Sequence, residues 1–166
     1  MSEAMPVPVL PAESHEASYT LDFAPIGRGG IEEDRVHAVL QALPDTNYAR
    51  AVQFGAHQSE LTAKLAARCG QFVLQDGAGT GLDGAPCDLV ILADVLGVWD
   101  DARLARVCAE MLDALAPGGH CVLVNWLHDG IGDAAAERLI AAAGEALLPI
   151  LRRRMPLYRI DVLERA

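Results

Sequence analysis

Four places in this 166-residue chain put chemically capable side chains directly after a short apolar run. Gly55-Ala56-His57-Gln58-Ser59 follows residues 49–54, and Asp76 follows Phe72-Val73-Leu74. Asp94 follows residues 89–93, and Asn125-Trp126 with His128 follows Cys121-Val122-Leu123-Val124. A glycine in such a place lets backbone approach a bound group closely. An acid about 20 residues further on is placed to hold a ribose hydroxyl. Asp76 lies 21 residues after Gly55. Each residue also has a plainer reading. His57 is either a ligand contact or an exposed loop histidine, Trp126 either a site residue or packing, and Asp76 either a binding acid or the start of a turn.

The elements that must carry these residues alternate along the chain. Val36, Val39, Leu40 and Leu43 share a helical face that Pro44 ends. Residues 49–55 read as a strand. The helix after it takes Ser59 as its N-cap, turns Leu61, Leu65 and Cys69 inward, and stops at Gly70. Residues 71–76 form a second strand. Asp88-Leu89-Val90-Ile91-Leu92-Ala93 is a third, an unbroken apolar run suited to a parallel strand covered on both faces. A helix over 101–116 ends at Pro117-Gly118-Gly119, and residues 121–124 form the next strand. An Ala-rich helix over about 133–148 finishes with the basic run Arg152-Arg153-Arg154 near its end, where cations complement the dipole. Residues 158–163 alternate like an edge strand. The order predicts an α/β fold with three layers, a doubly wound, Rossmann-like and mostly parallel sheet of about five strands. Ligands in such sheets bind beyond the carboxyl ends of the strands, where the candidate residues lie. Gly77-Ala78-Gly79-Thr80-Gly81 looks like a nucleotide-binding turn, but the next strand begins too soon for the helix such a turn must open. It reads as a glycine loop.

Composition narrows the function. Apolar residues make up 52%, enough for a sizeable core, and only 5% are aromatic, while 15 glycines and many alanines suit close packing of helices on a sheet. The 13 basic residues, of which only Lys64 is a lysine, face 23 acidic ones for a net charge of −10. That balance argues against nucleic acid and anionic membranes as partners, since both need cationic surface. No apolar run reaches the roughly 18 residues needed to span a bilayer, and the start lacks the basic and apolar parts of a signal peptide. Cys69, Cys87, Cys108 and Cys121 form no Cys-x-x-Cys pair, so they are expected to be buried free thiols of a cytoplasmic protein rather than ligands of a metal. Residues 1–30, rich in Pro and Gly, read as an extended N-terminal arm, and residues 31–166 as a single domain.

Four stretches resemble the class I S-adenosylmethionine-dependent methyltransferases, most closely the NodS-like branch. They are Ala42-Leu43-Pro44 with Tyr48-Ala49-Arg50-Ala51; Leu61-Thr62 with Leu65-Ala66-Ala67-Arg68-Cys69; Cys87 through Leu96 with Leu115-Ala116-Pro117-Gly118-Gly119-His120; and Tyr158 through Arg165. The resemblance spans Arg35 to Glu164. It implies S-adenosylmethionine as cofactor, held by Gly55, His57, Asp76 and Asp94, and a small-molecule methyl acceptor, an amine or hydroxyl of the kind a sugar-like compound could carry. It also implies His128 and Trp126 as catalytic residues.

Three departures accompany it. The family's acid-x-Gly-x-Gly-x-Gly turn is Gln53-Phe54-Gly55-Ala56-His57-Gln58-Ser59 here, with only the first glycine kept. Between Gly55 and Asp88 one strand fits where the family places two, so Asp76 matches either the acid after the second strand or that after the third. The branch often carries His-Trp after its fifth strand, and this chain has Asn125-Trp126, with His128 two residues on as the substitute base. Two functions arise as expectations: an active methyltransferase, or a non-catalytic protein of the same fold serving as a partner or regulatory subunit. The lost unit leaves an open sheet edge, which expects self-association or a protein partner.

Overall fold

A computed structural model describes residues 28–55, 59–75, 82, 84–128 and 130–166. His57, Asp76 and the 77–81 glycine run lie outside the described residues. The chain divides between Arg35 and Val36 into two units. Of the first, residues 28–35 are the opening turns of a helix, α1 (Arg28–Ala42), that starts within the span read from sequence as an arm.

The remaining elements are β1 (Tyr48–Phe54), α2 (Glu60–Ala66), β2 (Cys69–Gln75), β3 (Cys87–Ala93), α3 (Asp101–Ala114), β4 (Leu115–Trp126), α4 (Ile131–Ala143), β5 (Leu147–Arg154) and β6 (Tyr158–Arg165). The sheet has six strands in the order β2-β1-β3-β4-β6-β5. β1 pairs parallel with β2 and β3, and β3 with β4; β6 runs antiparallel to both β4 and β5. The chain steps from β1 outward to β2, returns to β3, and then builds away in the other direction. The order therefore reverses between β1 and β3, where a doubly wound sheet offers its crevice.

Side chains alternate across the sheet with period two, which sorts the core into two layers. Val52, Phe54, Val90, Leu92, Cys121 and Leu123 meet α3 and α4 through Leu104, Met111, Ala136 and Leu139. Ala51, Leu89, Ile91, Ala93, Val122 and Val124 meet Val39 of α1 and Leu61 and Leu65 of α2 on the other side. β3 is buried along nearly its whole length, as its unbroken apolar run requires. Ser59 caps α2, its hydroxyl accepting from the Thr62 N–H at 3.2 Å. All four cysteines are free. Burial pushes the Cys69 and Cys87 thiols up to about 11. No helix among the described residues is long and apolar enough to cross a membrane.

Four sequence expectations are corrected. The Ala-rich helix ends at Ala143 rather than 148, because Gly144 takes a left-handed φ of 56° and the chain turns into β5. Arg152, Arg153 and Arg154 consequently lie on a strand and not at a helix end. Residues 158–163 form an interior strand, since β6 sits between β4 and β5 and is buried from Tyr158 to Leu163. Gly70 does not stop α2. It lies within β2, the helix having ended at Ala66.

β6 carries charge inward on the face toward α4. Arg159 donates to both oxygens of the wholly buried Asp161, from Nε at 2.7 Å and Nη2 at 2.9 Å, and also reaches Glu137 at 2.7 Å and Asp133 at 3.3 Å. Arg152 adds a bond to Asp161 at 3.0 Å, and Arg154 one to Asp133 at 2.9 Å. Burial opposes the charge on Arg159, yet its bonds to Asp161 and Glu137 hold its pKa above the ordinary value. Hydrogen bonding from Arg154 holds the Asp133 carboxyl low, and bonding from Arg159 does the same for Glu137, in both cases against partial desolvation.

Two carboxyls depressed in the folded state contribute stability above their unfolded pKa and lose it as pH falls through the folded values. Thermal melts are therefore expected to drop as pH is lowered below about 4. A variant carrying Asp133→Asn and Glu137→Gln should lose less of its own midpoint over that range. Parallel acid profiles for the two proteins would sink this assignment.

Candidate functional site

The carboxyl ends of β1, β3 and β4 come together at one rim of the sheet through Gly55, Asp94 and Asn125-Trp126. β1 runs out at Phe54 into Gly55, whose φ is 72°. A Cβ built there would lie 1.9 Å from Val95 Cγ1 and 2.7 Å from the Ala93 carbonyl oxygen. Glycine is thus needed twice over, for the left-handed turn and for the close approach to the loop after β3. The Gly55 N–H also points to the Gln75 carbonyl of β2, at 3.4 Å.

Beneath that turn, Gln53 is fully buried. Its Nε2 donates to the Gly55 carbonyl at 3.2 Å and to Thr62 Oγ1 at 3.1 Å, and Thr62 lies 3.1 Å from the Ser59 hydroxyl. A neutral amide, able to donate and to accept, stitches the end of β1 to the first turn of α2. A carboxylate in its place could not donate to the Gly55 carbonyl.

Asp94 takes a left-handed φ of 57°, a conformation aspartate tolerates better than most residues. Its N–H donates to the Val124 carbonyl at 2.9 Å, and its Oδ1 accepts the Trp126 N–H at 3.1 Å. This side chain therefore clamps the end of β3 to the end of β4 while remaining exposed at the rim. Trp126 packs edge-on against Tyr158, ring centroids 6.0 Å apart, on the α1/α2 side of the sheet. His128 is half-buried in the turn leading to α4, where its carbonyl accepts the Ile131 N–H at 2.8 Å. α4 begins so close to β4 that a Cβ on Gly132 would fall 2.2 Å from the Trp126 carbonyl oxygen.

Asn125 completes the rim. Its side chain lies on the α3/α4 face, in register with Arg159 of β6, and is 3% exposed. The Nδ2 atom is buried without a hydrogen-bond partner among the described residues. Such a group costs about 1–3 kcal/mol when no water meets it. Sequence reasoning put Asn125 at a strand end but held no sign that its amide is unmet.

No protein-family model matches the sequence, and no curated protein does. Solved structures do match. A candidate methyltransferase from Pseudomonas syringae superposes with a TM-score of 0.69 at 21% identity, over 81% of this chain and 99% of that one. N-methyltransferase NodS from Bradyrhizobium japonicum WM9 gives 0.67 at 18% identity, over 83% and 98%, and is also known in complex with S-adenosyl-L-homocysteine. The fold is that of the class I methyltransferases. A third example of this methyltransferase fold is the 1,6-didemethyltoxoflavin-N1-methyltransferase of Burkholderia thailandensis, with its namesake substrate and S-adenosylhomocysteine bound. It gives 0.63 at 18% identity, over 97% and 94% of the two chains.

Within the methyltransferase fold, β2 is the strand directly beside β1, the place of the second strand in a doubly wound order. The next described strand, β3, already lies on the other side of β1. The structure thus brings Gly55, Asp94, Trp126 and His128 to one end of the sheet.

Proposed function

We propose that this chain is an S-adenosylmethionine-dependent methyltransferase acting on an amine or hydroxyl of a small molecule. The observation that carries the reading is the Gly55 turn. It is retained at the point where the strand order reverses, in a left-handed conformation that only glycine takes freely, and it is braced from below by Gln53 and Thr62. A turn held this closely against the loop after β3 at the point of reversal is a fixed piece of backbone for a cofactor to lie against.

In this reading Gly55 and the 56–58 segment after it, with His57, border the methionine part of the cofactor. Asp76, the residue after β2, takes the ribose, and Asp94 stands at the neighbouring strand end. The bound cofactor supplies an electrophilic methyl on sulfur. The protein's own part is to orient the acceptor for in-line attack and keep water away. Trp126 borders the acceptor side, and His128 is the candidate to take the acceptor's proton. A cytoplasmic location belongs to the same reading.

A second reading, a non-catalytic protein of this fold that serves a partner, draws on Gln53. The family's acid at that place is replaced by an amide whose hydrogen-bonding capacity goes to its own scaffold. Calorimetric titration with S-adenosylmethionine and S-adenosylhomocysteine separates the two. Binding of both, lost in Asp76→Ala, is the expected result. Silence from both ligands at millimolar concentration would leave the partner reading standing alone, and sedimentation would then be expected to find an oligomer or a complex.

A further inference from the structure

The two margins of the sheet are built differently. β5, at one end of the row, carries Pro149, a register shift between Pro149 and Leu151, and the run Arg152-Arg153-Arg154. Proline, a bulge and charge are the means by which an edge strand is kept from pairing with another chain. β2, at the other end, has none of them. Cys69-Gly70-Gln71-Phe72-Val73-Leu74-Gln75 contains no proline and no charged residue, and it pairs with β1 in one unbroken register. Among the described residues no strand lies beyond it. Phe72, Val73 and Leu74 are left half-buried, whereas the apolar run Leu89–Ala93 of β3 is buried throughout.

The strand is also symmetric in kind. Gln71-Phe72-Val73-Leu74-Gln75 has the same order of polar and apolar residues in both directions from Val73. A twofold contact uses one surface twice, so two antiparallel copies of a strand need a pattern that matches its own reverse. With the axis at Val73, that residue meets its own copy, Phe72 meets Leu74, and Gln71 meets Gln75. Apolar residues then lie opposite apolar ones, and an amide lies opposite an amide with which it can exchange hydrogen bonds. No like charges are opposed along the strand, which matters between chains that each carry a net charge of −10. β5 lacks this symmetry. Its Leu148 and Ile150 are 49% and 47% exposed, but pairing about its middle sets Leu147, Leu148 and Pro149 against Arg154, Arg153 and Arg152. Two of those arginines already serve Asp161 and Asp133.

We propose that two copies of this chain pair through β2, antiparallel across a twofold axis at Val73, joining two six-stranded sheets into one of twelve strands. The occupant of the edge is a second copy because the strand complements itself in both polarity and charge. The contact extends the sheet by backbone hydrogen bonds, and the half-buried Phe72, Val73 and Leu74 gain cover from their counterparts.

Sedimentation velocity and light scattering on the full chain are expected to give twice the chain mass at micromolar concentration. Under mild oxidation Val73→Cys should link the copies by a disulfide. Residues directly opposite in such a pair have Cα atoms about 4.5–5.5 Å apart, within disulfide reach. Gln71→Cys should not link, because its own copy lies four residues further along, roughly 14 Å away. Native Cys69 is further still from its copy and should stay free. Val73→Lys opposes two ammonium groups at the axis and should weaken the dimer about tenfold. Ile150→Lys, on the other margin, should leave the dimer as it is. A chain that stays monomeric at millimolar concentration overturns the proposal. So does a dimer that Ile150→Lys breaks, or one in which Val73→Cys does not link. No cofactor enters these measurements, so their outcome is separate from that of the S-adenosylmethionine titration.

Discussion

Asp161→Ala is expected to lose about 3–5 kcal/mol of stability, the loss typical of breaking one side of a buried ion pair. Asp161 is wholly buried, and it takes two bonds from Arg159 and a third from Arg152. Its removal strands the guanidinium of Arg159, itself only 4% exposed, with partners in Glu137 and Asp133 on one side and none on the other. For a domain of this size the melting temperature should fall by roughly 10 °C or more. The double variant Arg159→Met with Asp161→Leu should be milder than Asp161→Ala alone, because a buried pair replaced whole leaves no unpaired charge. Denaturant unfolding of the three proteins decides it. A loss under about 1 kcal/mol for Asp161→Ala would mean that α4 alone satisfies Arg159 and that Asp161 is dispensable to it.

Gly55→Ala ranks second in size. The left-handed φ alone costs an L side chain about 1–2 kcal/mol, and the overlap with Val95 and the Ala93 carbonyl adds about 1–3 kcal/mol of overpacking. The stability loss should come with weaker S-adenosylhomocysteine binding, since the methyl must push the turn away from Val95 and the Ala93 carbonyl. Adding Val95→Ala should return only part of the stability, because the Ala93 oxygen at 2.7 Å from the new methyl is backbone and cannot step aside. An unchanged unfolding midpoint in Gly55→Ala would contradict the geometry of this turn. Full recovery in the double variant would place all the strain on Val95.

Much of this architecture was legible in the sequence where burial on both faces leaves one solution. β3 differs from its reading by a single residue, because six buried positions out of seven can be little else. β5 was hidden. Leu147-Leu148-Pro149-Ile150-Leu151 continues the apolar run of the helix before it, and only Gly144 and Pro149 mark the break. β6 misled for a different reason. Its alternation of Arg159 and Asp161 with apolar residues resembles a strand wetted on one side, but the polar positions face each other's charges rather than solvent. At the rim, Gly55 and Asp94 stand out in the sequence because each comes directly after an apolar strand. The role of Asp94 as a clamp does not, since it depends on the Trp126 N–H lying opposite. Nor does the state of Asn125, because a missing partner is a property of the surroundings and not of the residue.

The position of β2 as the last strand in its row has a consequence for how such a fold tolerates shortening. A sheet is assembled from nearest-neighbour pairings, so a unit taken from its end removes one pairing and leaves every interior register as it was. β1 keeps β2 and β3 as neighbours, and β3 keeps β1 and β4. The rim formed by Gly55, Asp94 and Asn125 is built from those pairings together with that of β4 and β6. Subtraction at the margin therefore draws on the stability of the fold without redrawing that rim, whereas loss of β3, which lies between β1 and β4 in the sheet, would dissolve it.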